Sequence, residues 1–203
     1  IPSEIDGLTV IGIGSSAFEN LAIESLILPD SLEAIDSYAF RLNSLTSISI
    51  PNNLSNISVA VFSYNKLTSL VIPNNVISIG IAAFSENELT ELVLGQGLES
   101  IGSYAFADNE LTTISIPNNL TSIGEGAFRY NQLASLNIPD NVTSIGDEAF
   151  ASNQITTLEL SENLEYVGLS AFRENLITQV TIPNNFTHIP NGIFSQNQLT
   201  SLI

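Results

Sequence analysis

Phenylalanine recurs at Phe18, Phe40, Phe62, Phe84, Phe106, Phe128, Phe150, Phe172 and Phe194, and every step is 22 residues. A fixed period of this length is the mark of a solenoid of stacked coils, because one such repeat cannot bury its apolar face alone and its neighbours complete the core. Other columns keep the same register. Five residues after each Phe stands Leu or Ile (Leu45, Leu67, Leu89, Leu111, Leu133, Ile155, Ile177, Leu199), with apolar residues at plus eight and plus ten, such as Leu70 and Ile72. Proline follows in most repeats (Pro29, Pro51, Pro73, Pro117, Pro139, Pro183). An apolar residue such as Leu120 comes three later, an isoleucine such as Ile123 three beyond that, and Ala-Phe closes the coil. The whole of 1–203 reads as one domain of about nine repeats.

The alternation at plus eight and plus ten predicts a short strand whose plus-seven and plus-nine residues face outward, and stacking turns these strands into a parallel sheet. Proline cannot donate to a ladder, so its column marks the end of each strand. The return path leaves the segment around Ala-Phe room for roughly one helical or 3₁₀ turn. Each buried Phe should contribute about 1.5–3 kcal/mol by area transfer. Asn43, Asn65, Asn87, Asn109, Asn131, Asn153, Asn175 and Asn197 form an amide ladder expected to satisfy backbone groups of the turn entering the strand. A glycine column (Gly14, Gly80, Gly102, Gly124, Gly146, Gly168), relaxed at Asp36, Ser58 and Pro190, predicts a tight bend or a positive φ.

Units such as Leu111 to Phe128, reading LTTISIPNNLTSIGEGAF, resemble the BspA-like leucine-rich repeats of bacterial surface proteins. The resemblance covers nearly the whole chain. It implies a right-handed horseshoe solenoid, with a parallel β-sheet on the concave face and short turns or 3₁₀ turns on the convex face. It also implies a secreted or surface-anchored protein that binds host or matrix proteins. Members commonly carry Cys a few residues after the Phe and a 23-residue period, whereas here Asn stands at plus three and the period is 22. At the N-terminus Ile1 and Pro2 match a strand end, and five extra residues, including Asp6 and Gly7, predict a turn or capping loop before Val10. The first residue is not Met and the last, Ile203, falls within a strand. The chain is therefore expected to be a piece of a longer protein with one sheet edge exposed.

Charge narrows the partners. Four Lys and Arg against 21 acids give a net charge of −17, which repels nucleic acid and anionic lipid. No apolar run is long enough to insert in a membrane. There is no Cys for disulfides or thiolate metal sites. Gly12, Gly14 and Ala17 spell a dinucleotide-like G-x-G-x-x-A, but Gly14 and Ala17 are ordinary repeat columns. The N-x-S/T sequons at Asn53, Asn56, Asn119, Asn141 and Asn185 mostly recur with the repeat. His188, the only histidine, sits in a column of serines with no acid in that column, which argues against a nucleophilic triad.

One carboxylate cluster stands out. Glu86 and Glu88 flank Asn87, and Asp108 and Glu110 flank Asn109 one repeat later. Coils lie about 4.8 Å apart, so these four form a solvated acidic edge that Lys66 partly offsets. The alternatives are a weak Ca²⁺ site and, lastly, a glycan-cleaving acid pair. No other cofactor is expected.

The outward strand columns form the expected binding surface. They are mostly small and polar. Their one irregular stretch is the apolar pair Val71 and Val93 beside Glu91, continued by Thr113 and Ser115. Sequence thus predicts a non-catalytic, extracellular protein-binding or adhesion module. The alternatives are a passive spacer or stalk in a larger surface protein and, last, a glycan-binding or glycan-cleaving solenoid.

Overall fold

A computed structural model describes residues 1–186 and 188–202. About nine coils of 22 residues stack into a parallel β-solenoid, with no helix among the described residues. Phe40 through Phe172 are fully buried, and successive rings from Phe18 to Phe194 stack with centroids 5.3–5.8 Å apart and planes within 16° of parallel. This near-parallel stack adds about 0.5–1.5 kcal/mol per pair to the area term. Phe18 and Phe194, at the two ends, are only partly covered.

The plus-eight residues close the core from the strand side, and the ladder there runs in pairs. Ser69–Val71 pairs with Glu91–Val93, Ser135–Asn137 with Thr157–Glu159, and Gln179–Val180 with Ser201–Leu202, each parallel and one coil apart. The longest unbroken sheet lies on another side of the coil. Six two-residue strands, from Asn56–Ile57 to Tyr166–Val167, stack the Ser-Ile dipeptides in register: Ser78, Ser100, Ser122 and Ser144 lie in one row and Ile79, Ile101, Ile123 and Ile145 in the next. The isoleucines point into the core.

Turns occupy the segment around each Phe. The residues two before and two after it adopt left-handed φ, as at Tyr104 (φ 58) and Asp108 (φ 55). Such φ costs roughly 1 kcal/mol per non-glycine residue. The return is axial hydrogen bonding: Tyr104, Phe106 and Asp108 donate their N–H groups to the carbonyls of Glu125, Ala127 and Arg129 in the next coil at 2.7, 2.8 and 3.0 Å. The helical or 3₁₀ turn considered from sequence is thus replaced by successive tight turns, such as Ala105 N–H to Gly102 O and Ala107 N–H to Tyr104 O.

Of the two readings of the glycine column the tight bend holds, since the Gly80, Gly102, Gly124 and Gly146 carbonyls each accept the N–H three residues on, and the positive φ does not. None of its members has positive φ; among the described residues the positive-φ glycines are Gly7, Gly126 and Gly192. Its requirement is closeness, because a Cβ at Gly102 or Gly124 would lie 2.8 or 2.5 Å from backbone of the preceding coil. Gly14, at the first coil, has open space. The N-terminal insertion is a small antiparallel hairpin of Glu4–Ile5 and Leu8–Thr9, turned by Asp6 (φ 51) and Gly7 (φ 79), the two left-handed residues of a type I′ turn.

Candidate interaction surface

On the plus-seven and plus-nine face, alternation along each strand decides what is presented. In Ser69-Leu70-Val71 and Glu91-Leu92-Val93 the leucines are buried and the flanking residues exposed. Register sets Val71 beside Val93 and Ser69 beside Glu91. The two valines remain 61% and 57% exposed, unusual for adjacent aliphatic side chains and enough to form a small apolar ridge.

The ridge borders an open groove of about 940 Å³ lined by Ser49, Ser69, Val71, Asn74, Val93 and Gln96, among others. Its lower rim departs from the repeat. Where four coils have Pro-Asn-Asn, at 51–53, 73–75, 117–119 and 183–185, this one has Gly95-Gln96-Gly97. A Cβ at Gly95 would lie 2.3 Å from Pro73 O, and one at Gly97 2.1 Å from Asn74 O, so only glycine lets this turn close on its neighbour. Gln96 N–H then donates to Asn74 Oδ1 at 2.8 Å. The Gly-x-Gly substitution is the sequence signal that marks the groove. Thr113 and Ser115 are exposed one coil further on, but their segment is not strand and does not line the groove. The structure therefore brings Val71 and Val93 together, with Glu91 on the same strand, and places Thr113 and Ser115 one coil on, outside the groove.

The Asn ladder lies behind this face. Asn109 donates from Nδ2 to the carbonyls of Phe84, Phe106 and Ala107 at 3.1, 3.2 and 3.2 Å and accepts Leu89 N–H at 3.0 Å. The same four contacts recur at Asn87, Asn131, Asn153 and Asn175. These amides hold each strand at a fixed height on its neighbour.

Glu86, Glu88, Asp108 and Glu110 are all exposed. Burial, followed by the charge of Asp108, raises the Glu86 carboxyl above its ordinary range; burial likewise raises Asp108, against the opposing pull of Arg129. No three His, Asp or Glu side chains among the described residues converge closely enough to share a cation. His188 is exposed in a depression with Glu165 and Tyr166, whose lining holds no serine.

A second surface was not anticipated. Four of the five tyrosines and all three arginines lie along the turn edge. The Arg41 guanidinium lies 5.8 and 5.4 Å from the centroids of Tyr38 and Tyr64 and pairs with Glu19 at 3.1 Å. Arg129 lies 4.5 Å from the Tyr130 centroid and pairs with Glu148, and Tyr104 donates its hydroxyl to Glu125, which with burial lifts its pKa to about 12. No complete column marks it, because arginine follows Phe directly in only three coils and tyrosine stands two residues before or after it in only four.

The profile of the BspA type leucine rich repeat region matches residues 5–90 and 78–201, in six copies. Curated proteins give no match. A leucine-rich repeat protein from Bacteroides ovatus is similar over the whole of this chain, with 27% identity and a TM-score of 0.86, and this chain spans 56% of that one. Pneumococcal vaccine antigen PcpA (18% identity, TM-score 0.57) and a leucine rich cell surface protein from Faecalibacterium prausnitzii (20%, 0.50) are also matched over the full chain, covering 75% and 80% of theirs. At that identity they share the fold.

Proposed function

Because the chain belongs to the BspA type leucine-rich repeat family, we propose that it is a non-catalytic protein-binding module of a bacterial surface protein, with its partner seated on the strand face at the Val71–Val93 ridge. Repeat families of this kind suit protein binding, since a stack of coils presents aligned columns over a long surface. The observation that carries the reading is a pair of adjacent exposed valines beside a groove, on a face of mostly small polar residues whose other exposed aliphatic side chain, Ile27, lies two repeats earlier. The partner is a protein, either host or matrix, and the module works outside the cell. No helix of the described residues is long and apolar enough to cross a membrane.

Such a face has no Trp, Tyr or Arg anchor, so affinity on it is modest. The test is an array of host and matrix proteins probed with this chain, followed by titration of each hit with the Val71→Asp/Val93→Asp variant. Loss of binding with an unchanged circular dichroism spectrum supports the reading. A hit whose affinity survives the double substitution removes the site from the strand face, and an array without hits leaves the spacer or stalk role, which the uniform Ser78, Ser100, Ser122 and Ser144 column favours.

A further inference from the structure

We propose that the groove's occupant is an extended segment of the partner that carries an aliphatic residue and a lysine or arginine two positions apart, the first on Val93 and Val71 and the second facing Glu91. This rests on reading the strand face as the docking surface.

Three observations converge on that chemistry. First, the groove brings no charge of its own: its walls are the valines, serines, Asn74 and Gln96. Second, the charge around it is one-sided. Glu91 stands exposed on the strand that carries Val93 and makes no ion pair among the described residues, on a chain of net charge −17. The three arginines are spoken for elsewhere, on the turn edge with Glu19, Glu148 and Glu174.

Third, the spacing along the strand fits an extended peptide. Glu91 and Val93 lie on one side of one strand, two residues apart, which is about 6.6–6.8 Å. A peptide running along the strand presents its own side chains at the same interval, so an aliphatic residue and a cation at i and i+2 meet Val93 and Glu91 together. Val71, in register with Val93 one coil away, widens the apolar seat across the groove. A purely basic segment would leave the valines uncovered, and a purely apolar one would bury Glu91 beside it without a partner.

The test uses the full chain and three synthetic peptides, TVTKTVTKTVT, TVTETVTETVT and TSTKTSTKTST, titrated to millimolar concentration at 50 and 300 mM NaCl with amide shifts as the readout. The Val-Lys peptide is expected to shift residues 69–75 and 91–96 and to bind at least about tenfold tighter than the Val-Glu peptide, whose charge repels. Glu91→Gln should weaken the Val-Lys peptide about two- to fivefold, as an exposed ion pair does, and higher salt should shrink that difference. Val71→Thr/Val93→Thr, close in shape and equally β-prone, should bring its affinity down to that of the Ser-Lys peptide.

Equal binding of the Val-Lys and Val-Glu peptides, with loss on Val→Thr, overturns the cationic occupant while leaving the strand face as the docking surface. Shifts centred on Glu86 and Asp108 that ignore Val→Thr overturn both, since the attraction is then diffuse charge. Absence of any shift with all three peptides overturns the inference alone.

Discussion

Asn109 gives the most searching test of how the coils are held. Its Nδ2 reaches the carbonyls of Phe84, Phe106 and Ala107, each of which has a second donor: Asn87 Nδ2, Asn131 Nδ2 and Glu86 N–H respectively. Its Oδ1 is the acceptor for Leu89 N–H, with which no other acceptor is paired among the described residues. Asn109→Ala therefore orphans one buried N–H and opens a small void, a cost of about 2–4 kcal/mol. Asn109→Asp keeps the Leu89 acceptor but aims a second oxygen at three carbonyls 3.1–3.2 Å away.

An ionised Asp at this position is repelled and out of water, so its carboxyl must titrate well above the unfolded value of about 3.9. The sign follows directly. A pKa raised in the folded state means the folded chain holds the proton that the unfolded chain releases, so stability falls as pH rises from about 4 through the folded pKa. A rise on the order of two pK units costs about 2.7 kcal/mol at neutral pH. Added to the lost donor contacts, Asn109→Asp should cost about 3–4 kcal/mol at pH 7 and about 1 kcal/mol at pH 4, whereas Asn109→Ala should show little difference in its cost between the two. Urea unfolding at both pH values, with the m-value checked for loss of cooperativity between coils, reads this out. If Asn109→Asp matched the parent at pH 7, or matched Asn109→Ala at both pH values, the ladder would not be carrying the stack.

Phe106→Ala, between two stacked rings, should cost about 3–5 kcal/mol in urea unfolding, and Phe194→Ala, partly exposed with one ring neighbour, distinctly less. Gly124→Ala should cost about 1–3 kcal/mol, since its Cβ would lie 2.5 Å from the neighbouring backbone, while Gly14→Ala, with nothing within 4 Å, should leave the urea midpoint near the parent's. Glu86 is raised above 4.5 in the folded chain, so it adds stability as pH falls from neutrality toward 4.5; Glu86→Gln should flatten that part of a melting-temperature profile and raise its neutral end. Matched ionic strengths of CaCl₂, MgCl₂ and NaCl should raise the melting temperature equally, because no three carboxylates converge; a larger Ca²⁺ increment would restore a site at Glu86, Glu88, Asp108 and Glu110.

What could be read from sequence was whatever a column states by its chemistry. Phe at a fixed period, Leu and Ile at plus five and plus eight, and Asn at plus three each name their environment, because a buried ring or a buried amide tolerates few replacements. The left-handed positions Tyr38, Leu42, Ala60, Ala82 and Glu86 were silent, since these residues carry no turn signature and their conformation is set by hydrogen bonds to the next coil. The Ser-Ile ladder was silent too, because two residues show no alternation. The glycine column was legible as a tight bend, while its close approach to the neighbouring coil is visible only once that backbone is placed. At the surface, Val71, Glu91 and Val93 stood out by composition. The groove beside them depends on how Gly95-Gln96-Gly97 folds against Pro73 and Asn74, and the arginine–tyrosine edge on contacts between columns.

The central claim is that a protein partner docks on the strand face and not on the turn edge. Hydrogen–deuterium exchange of this chain, alone and saturated with a protein selected from the array, tests it most directly. The account predicts slowed exchange confined to residues 69–75 and 91–96. Protection centred instead on Tyr38, Arg41 and Tyr64, with 69–75 and 91–96 unchanged, would contradict it.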